Sequence, residues 1–466
     1  MASMLTRIVV ENFKSFDKQT ELTMVSSSKI RAKPNHRIKV NSNTRLLKHA
    51  VVYGANASGK SNLVDFFDFF KLTLEDGLPV WGAKYFCRND EMNEKRNSIF
   101  EIQMEINGKF YAYGFSAILA DRCITGEWLY ELYQNGSSKC IFEREKASKP
   151  LINSSVILSK EEYNRFETYA SDFEDNIADL FLTEMNRGKK ILENSNLQVF
   201  KRVYNWLKFN IIIITPNSRI THFEYYYEND SLTLVNDLIS TFDTGISNVS
   251  IEEIDLNDLS KMLPKRILDN IMEKIKKNLT EKRSFHISGR SDTAFFNIES
   301  NGNQEPKITT IKLKHGKSLY SFDFEDESDG TRRLFDLMDM LLTNENDIIY
   351  IVDELERSLH PKLTEHFLKL FSEKHMDCKI QLIFTTHEAL IMDQELFRRD
   401  EIWFIEKDNE NSSMIYPLDR FKERYDKKLS KAYLEGRYGA IPVFNSFKFT
   451  MKHNLSGSQK SADYPY

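Results

Sequence analysis

The stretch Gly54-Ala55-Asn56-Ala57-Ser58-Gly59-Lys60-Ser61 constrains this chain most, because it matches G-x-x-x-x-G-K-[ST] at every fixed position. His49–Tyr53 before it reads as a short buried strand, and Asn62–Phe67 after it as an apolar-faced helix. In a loop so placed, glycines let successive backbone N–H groups converge on a phosphate at a helix N-terminus, where the dipole favours an anion. Gly54, Asn56, Ser58, Gly59 and Asn62 belong to this cradle. Lys60 would reach the β- and γ-phosphates of a nucleotide, and the Ser61 hydroxyl would ligate Mg²⁺. The bland alternative is a Gly/Ser-rich turn with no ligand.

A chain of 466 residues has room for two or three lobes around a shared core. No apolar run reaches the ~18 residues of a membrane span, and no signal-peptide core opens the chain. Cys87, Cys123, Cys140 and Cys378 lack metal-ligand spacing and read as reduced thiols. The expectation is a cytoplasmic protein without a membrane partner. A net charge of −5 excludes a surface basic throughout, though not a local nucleic-acid stripe. Met1-Ala2-Ser3 and Ser456–Tyr466 read as vector-derived.

In chain order, residues 5–13 and 21–25 read as strands and 26–47 as irregular. Residues 98–106 alternate at period two, and Asn107-Gly108 turns the chain into a strand at 110–115. Strand-like pieces follow at 127–133 and 139–143. Helices are expected over 161–182 and 192–207, a strand at 210–216, and a helix at 231–243. Residues 258–285 carry Lys265, Arg266, Lys274, Lys276, Lys277, Lys282 and Arg283 around apolar residues at helical spacing. This is a solvated helix face or a DNA or RNA contact. Strands at 308–313 and 319–324 complete the middle of the chain. The expected division is an N-terminal lobe over 1–150, a helical insertion over 151–210, connecting strands with the basic insertion over 211–320, a C-terminal lobe over 321–450, and a disordered tail over 451–466.

Asp347–Val352 is an apolar strand running into Asp353-Glu354, which places two acids at its C-terminal tip. Asp353 suits the Mg²⁺ site, and Glu354 suits a general base for the attacking water. A helix is expected over 362–374. Lys379–Thr386 is a second buried strand, ending at His387, which there is either a hydrogen-bonded structural residue or a γ-phosphate sensor. Residues 401–406 read as one more strand of the same sheet. Ser328-Asp329-Gly330-Thr331 opens an apolar-faced helix, either as a plain N-cap or as a second phosphate-binding helix start.

This order of motifs resembles the ABC-type ATPase head of the SMC/RecF/OLD branch: phosphate loop, Ser-x-Gly-Thr, strand with Asp-Glu, Ser358-Leu359-His360-Pro361, then strand with Thr385-Thr386-His387. Val10–Phe16 is similar to the branch's first strand, which lies beside the adenine, so Lys14 and Ser15 join the implied nucleotide contacts. Tyr113-Gly114-Phe115, Glu127–Tyr130, Phe242–Ile246 and Tyr433–Pro442 look like bacterial RloA/AbiL-type AAA-family ATPases of anti-phage abortive-infection systems. Ser328–Thr331 departs from the transporter signature, and no glutamine is assigned to a Q-loop. There is no long coiled coil, and too few residues follow His387 for the TOPRIM nuclease domain of OLD proteins.

The resemblance implies an α/β P-loop NTPase of ABC-ATPase type, with a mixed central sheet, an antiparallel β subdomain and helical insertions. It implies a homodimer or higher homo-oligomer in which ATP lies between one loop and the other chain's Ser328, Gly330 and Thr331. Hydrolysis would use Lys60, Glu354 and His387 with Mg²⁺ on Ser61 and Asp353, and ATP would control an effector encoded nearby, a nuclease or toxin. The alternative is a RecF-like ATPase that binds DNA directly. A transporter subunit and a chain that is itself a nuclease are disfavoured by the motifs.

Overall fold

The computed structural model describes residues 3–154, 156, 158–216, 229–290, 295–421 and 428–442. The tail expected to be disordered, 451–466, lies outside the described residues.

Strands β1 (Ser3–Glu11), β2 (Thr20–Thr23), β3 (Arg37–Lys39), β4 (Arg45–Leu47) and β5 (His49–Tyr53) precede helix α1 (Lys60–Asp76). Residues 26–47 are therefore less irregular than expected: β3 and β4 pair as a small antiparallel hairpin. Next come β6 (Ser98–Ile106), β7 (Lys109–Ile118), β8 (Cys123–Leu132), β9 (Ser138–Glu145) and β10 (Leu151–Ile152). They form one antiparallel sheet of order β10-β9-β8-β7-β6-β1-β2. The Asn107-Gly108 turn sits where the alternation places it, both residues at positive φ.

Helices α2 (Lys160–Asp172), α3 (Phe181–Asn186) and α4 (Gln198–Phe209) pack beside this sheet. The single helix expected over 161–182 is corrected to two. The Asn176 side chain accepts from Ala178 N and Asp179 N, at 3.0 and 2.9 Å, so the backbone turns instead of continuing the helix. Arg144 fixes that turn by donating to the carbonyls of Asn176 and Asp179.

The remaining elements are β11 (Ile211–Ile214), α5 (Asn229–Ser240), β12 (Ile246–Glu253), α6 (Leu256–Met262), α7 (Lys265–Thr280), β13 (Phe285–Arg290), β14 (Phe295–Ser300), β15 (Lys307–His315), α8 (Asp329–Leu342), β16 (Ile349–Val352), α9 (Pro361–Lys374), β17 (Gln381–Thr386), β18 (Ile402–Lys407), β19 (Ser413–Pro417) and α10 (Leu429–Leu434). Strands β12, β15, β14 and β13 make an antiparallel sheet over which Leu259, Ile271 and Ile275 pack in a small core of their own. The basic side chains of α7 are exposed. No strand forms at 319–324; Leu319 and Tyr320 are 91% and 80% exposed, and only the Leu313–Phe322 bridge remains. Exposure removes the apolar burial that a strand there would need.

The central sheet runs β11-β16-β17-β5-β18-β19, parallel except for β19. Its alternate residues serve two cores. Ala50, Val52, Ile349 and Ile351 face α1 and the large antiparallel sheet, while Val51, Tyr53, Tyr350 and Val352 face α8 and α9. Burial on both faces explains why Ile349–Val352 is uninterruptedly apolar. The fold is α/β, with a mixed central sheet, an antiparallel β sheet beside it and helical insertions.

Candidate functional site

Because β16, β17 and β5 are adjacent and parallel, they end together. Their C-terminal tips carry Asp353-Glu354, His387 and the loop from Gly54. The loop turns through Ala57 (φ 62°) and Gly59 (φ 114°) before Lys60 opens α1. No side chain fits at Gly54, where a Cβ would stand 2.5 Å from both Ile405 O and Ser58 Oγ. At Gly59 a Cβ would meet Ser413 Oγ and Ser15 Oγ. The two glycines thus bring the backbone against β18 and β19, and Asn56, Ala57 and Ser61 stay exposed on the loop's open side.

Ser413 fastens this loop. Its Oγ donates to Ser58 O at 2.5 Å and bonds Ser15 Oγ at 2.7 Å, and its N–H donates to Ser15 O at 2.7 Å. Asn62 Nδ2 donates to the same Ser15 Oγ at 2.6 Å. Lys14, at φ 51°, sends its ammonium to Asp65 Oδ2 at 2.5 Å and over the Tyr85 ring at 4.2 Å. The Lys14-Ser15 turn therefore packs directly on the loop and on α1. Ser58 Oγ is buried with no hydrogen-bond partner among the described residues. The loop geometry, that orphaned hydroxyl and the glycine cradle all fit a phosphate.

Lys60 is buried and donates to Gly54 O and Ala55 O at 2.7 and 2.9 Å. Burial lowers its pKa from 10.5 to about 8, against the opposing pull of Asp353, Glu356 and Glu354. Asp353 is buried, and its Oδ1 accepts from Thr385 Oγ1 at 2.6 Å. Glu354 takes a left-handed backbone (φ 46°) and its N–H donates to the same Thr385 Oγ1 at 2.8 Å. Its side chain is half-exposed and stands 3.7 Å from His387 Nε2. Burial, then the nearby Lys60, lower the pKa of His387, so the ring there favours its neutral form.

Four participants were not singled out from sequence. Glu356 accepts from His387 N at 2.6 Å and keeps its other oxygen buried and, among the described residues, without a hydrogen-bond partner. Buried Arg333, on α8, aims at the carbonyls of Thr215, Asp353 and Glu354, each 3.4 Å away, and burial lowers its pKa to about 10. Thr385 was legible only as part of the Thr-Thr-His run. Ser413 lies 355 residues from Ser58 and carries no local signal.

Ser328 caps α8, its Oγ accepting from Thr331 N at 3.1 Å and lying 2.9 Å from Thr331 Oγ1. A Cβ on Gly330 would stand 2.6 Å from Ser358 O, so this helix start rests on the turn after Glu354. Among the described residues no hydrogen bond or ion pair joins Ser328–Thr331 to the phosphate loop.

For Mg²⁺, the exposed Ser61 hydroxyl and Asp353, whose Oδ2 is left over by Thr385, are the oxygen donors present, and their hard-oxygen chemistry fits that ion. No helix of the described residues is long and apolar enough to cross a membrane.

Among solved structures, the chain is similar to "Crystal structure of the SmcHead bound to the C-winged helix domain of ScpA" at 14% identity, covering 89% of this chain and 97% of that one with a TM-score of 0.37. It is also similar to the SMC head domain from Thermotoga maritima at 12% identity, covering 90% and 99% with a TM-score of 0.34. At such scores the likeness carries no argument, and the strand order and loop carry the fold. No curated protein matches the chain. A family model described as "AAA domain, putative AbiEii toxin, Type IV TA system" matches residues 50–393, from β5 past His387. That span holds the phosphate loop, Ser328–Thr331 and the Asp353-Glu354 tip, and on it the chain belongs to this family of AAA-domain ATPases.

Proposed function

We propose that the chain hydrolyses ATP at a site shared between two copies, and that the ATP-bound pair controls a partner effector, a nuclease or toxin, in anti-phage defence. The observation that carries the ATPase reading is the convergence of the Gly54–Ser61 loop, Asp353-Glu354 and His387 at the ends of three adjacent parallel strands. A place in a defence system is supported by the family description, which names a putative toxin of a type IV system, and by the resemblance to abortive-infection ATPases, from which the control of a partner effector is taken.

In this reading the loop N–H groups and Lys60 bind and orient the phosphates, and Lys14 and Ser15 flank the nucleotide. Mg²⁺, when held by Ser61 and Asp353, supplies neutralisation of phosphate charge. Glu354 orients the attacking water and takes its proton, with neutral His387 3.7 Å away to hydrogen-bond at the same place. Ser328, Gly330 and Thr331 complete the site of the other copy.

Glu354→Gln tests the assignment. It keeps the shape and removes the base, so ATP binding should persist while turnover falls ~10²-fold or more. The variant should accumulate as an ATP-bound dimer in light scattering. Near-normal hydrolysis would move the base to another carboxylate, Glu356 being the nearest candidate. Direct DNA binding, the other reading, requires an ATP-stimulated, salt-sensitive affinity of the purified chain for DNA.

A further inference from the structure

At the opposite end of the central strands from the phosphate loop lie His36, His49 and Glu401, respectively 4%, 2% and 0% exposed. They come from three separate pieces of chain: the turn Pro34–His36, the first residue of β5, and the residue preceding β18. Both imidazoles present the same atom to one carboxylate. His36 Nδ1 is 3.0 Å from Glu401 Oε2, His49 Nδ1 is 3.4 Å from Oε1, and all three donor atoms lie within 4.8 Å of one another. His36 Nδ1 forms a hydrogen bond with the carboxylate, whereas buried His49 Nδ1 faces the other carboxylate oxygen at 3.4 Å without well-formed hydrogen-bond geometry. Both imidazoles thus converge on one carboxylate with the same ring nitrogen.

We propose that His36, His49 and Glu401 bind one divalent transition-metal ion of the zinc class, which pins the Pro34–His36 turn to the starts of β5 and β18. Two imidazole nitrogens and one carboxylate are a donor set that such ions favour. Donors held ~2.1 Å from a tetrahedral ion stand about 3.4 Å apart, and the two nitrogen–oxygen separations here are 3.0 and 3.4 Å. The outer contacts suit the role. Ser372 Oγ lies 3.3 Å from His49 Nε2, and Arg398 N donates to Glu401 Oε2 at 2.8 Å, so ring and carboxylate are both oriented from behind. A surface pocket lined by Lys33, Asn35, His36, Ser372 and Phe397 reaches His36 and gives an entry path from that side. The site is distinct from the Mg²⁺ position, since His49 and Tyr53 are opposite ends of β5, about 13 Å apart.

The test uses the full chain, purified without chelators and dialysed against zinc, with metal content read by inductively coupled plasma mass spectrometry. About one zinc per chain is expected in the wild type, about one tenth of that or less in His36→Ala and Glu401→Gln, and full content in Cys378→Ser, which removes a half-buried thiol outside the trio. Wild-type melting is the second readout, and it does not depend on the variants folding. EDTA should lower Tm and added zinc should restore it. Wild-type chain that holds no zinc, a melting temperature indifferent to EDTA and zinc, or folded His36→Ala that keeps a full complement would each overturn the assignment. Nucleotide is absent throughout, so failure here leaves the ATPase reading untouched.

Discussion

Thr385 Oγ1 donates to Asp353 Oδ1 at 2.6 Å and accepts from Glu354 N at 2.8 Å, so one hydroxyl on β17 fixes both acids at the tip of β16. The same hydroxyl holds Glu354 in a left-handed conformation, at φ 46°, that a glutamate does not adopt without support. Thr385→Val keeps the shape of the strand and removes both bonds. Turnover should fall about tenfold, while ATP affinity changes less than about threefold. Single-turnover hydrolysis and calorimetry read the two separately, and unchanged turnover would show that Thr385 does not position the acids.

Lys60 gives a pH dependence with a defined sign. In the free chain its pKa is about 8, whereas phosphate binding requires the ammonium, so binding takes up a proton above that pH. ATP affinity should weaken between pH 8 and 10, by up to about tenfold per unit, and Lys60→Arg should flatten the profile. Folding linkage runs the other way. The unfolded lysine keeps its proton up to 10.5 and the native one releases it near 8, so this group adds stability as pH rises across that window. A flat affinity profile for wild type would mean that Lys60 is charged throughout.

The large antiparallel sheet is joined to the helices through Glu127. Fully buried, it accepts from Tyr113 OH at 2.9 Å, Arg144 Nε at 2.9 Å, Phe181 N at 2.7 Å and Leu182 N at 3.0 Å. Glu127→Ala leaves Arg144 buried without its carboxylate and should cost ~3–5 kcal/mol. Chemical denaturation measures this, and a loss below about 1 kcal/mol would show that the network relaxes around the gap.

Much of this was legible in the sequence wherever a local pattern carries the geometry. His49–Tyr53 and Ile349–Val352 read as buried strands because parallel strands covered on both faces have no polar side. Ser328 read as a cap or as a phosphate-binding helix start, and its capping of α8 was legible because a serine ahead of an apolar helical stripe satisfies that helix's free N–H groups. The sheet β12-β15-β14-β13 was mostly missed, since β12 and β13 are part-exposed and the sheet is interrupted by α6 and α7, which dominate the periodicity. The Glu127–Arg144 pair and the Ser413–Ser58 bond join distant parts of the chain, and no window of sequence shows which partner a buried polar group will find. The trio His36, His49 and Glu401 was hidden for the same reason.

The central claim, that a second copy completes each ATP site, is tested by mixing two inactive variants. Lys60→Ala breaks the phosphate loop and leaves Ser328–Thr331 intact; Ser328→Arg does the reverse. Each alone should be nearly inactive, whereas a mixed dimer carries one complete site and one doubly broken site. With random exchange and independent sites, ATPase activity should recover to about a quarter of wild type. No recovery, with heterodimers confirmed by native mass spectrometry, or normal hydrolysis by Ser328→Arg alone, would contradict the shared site.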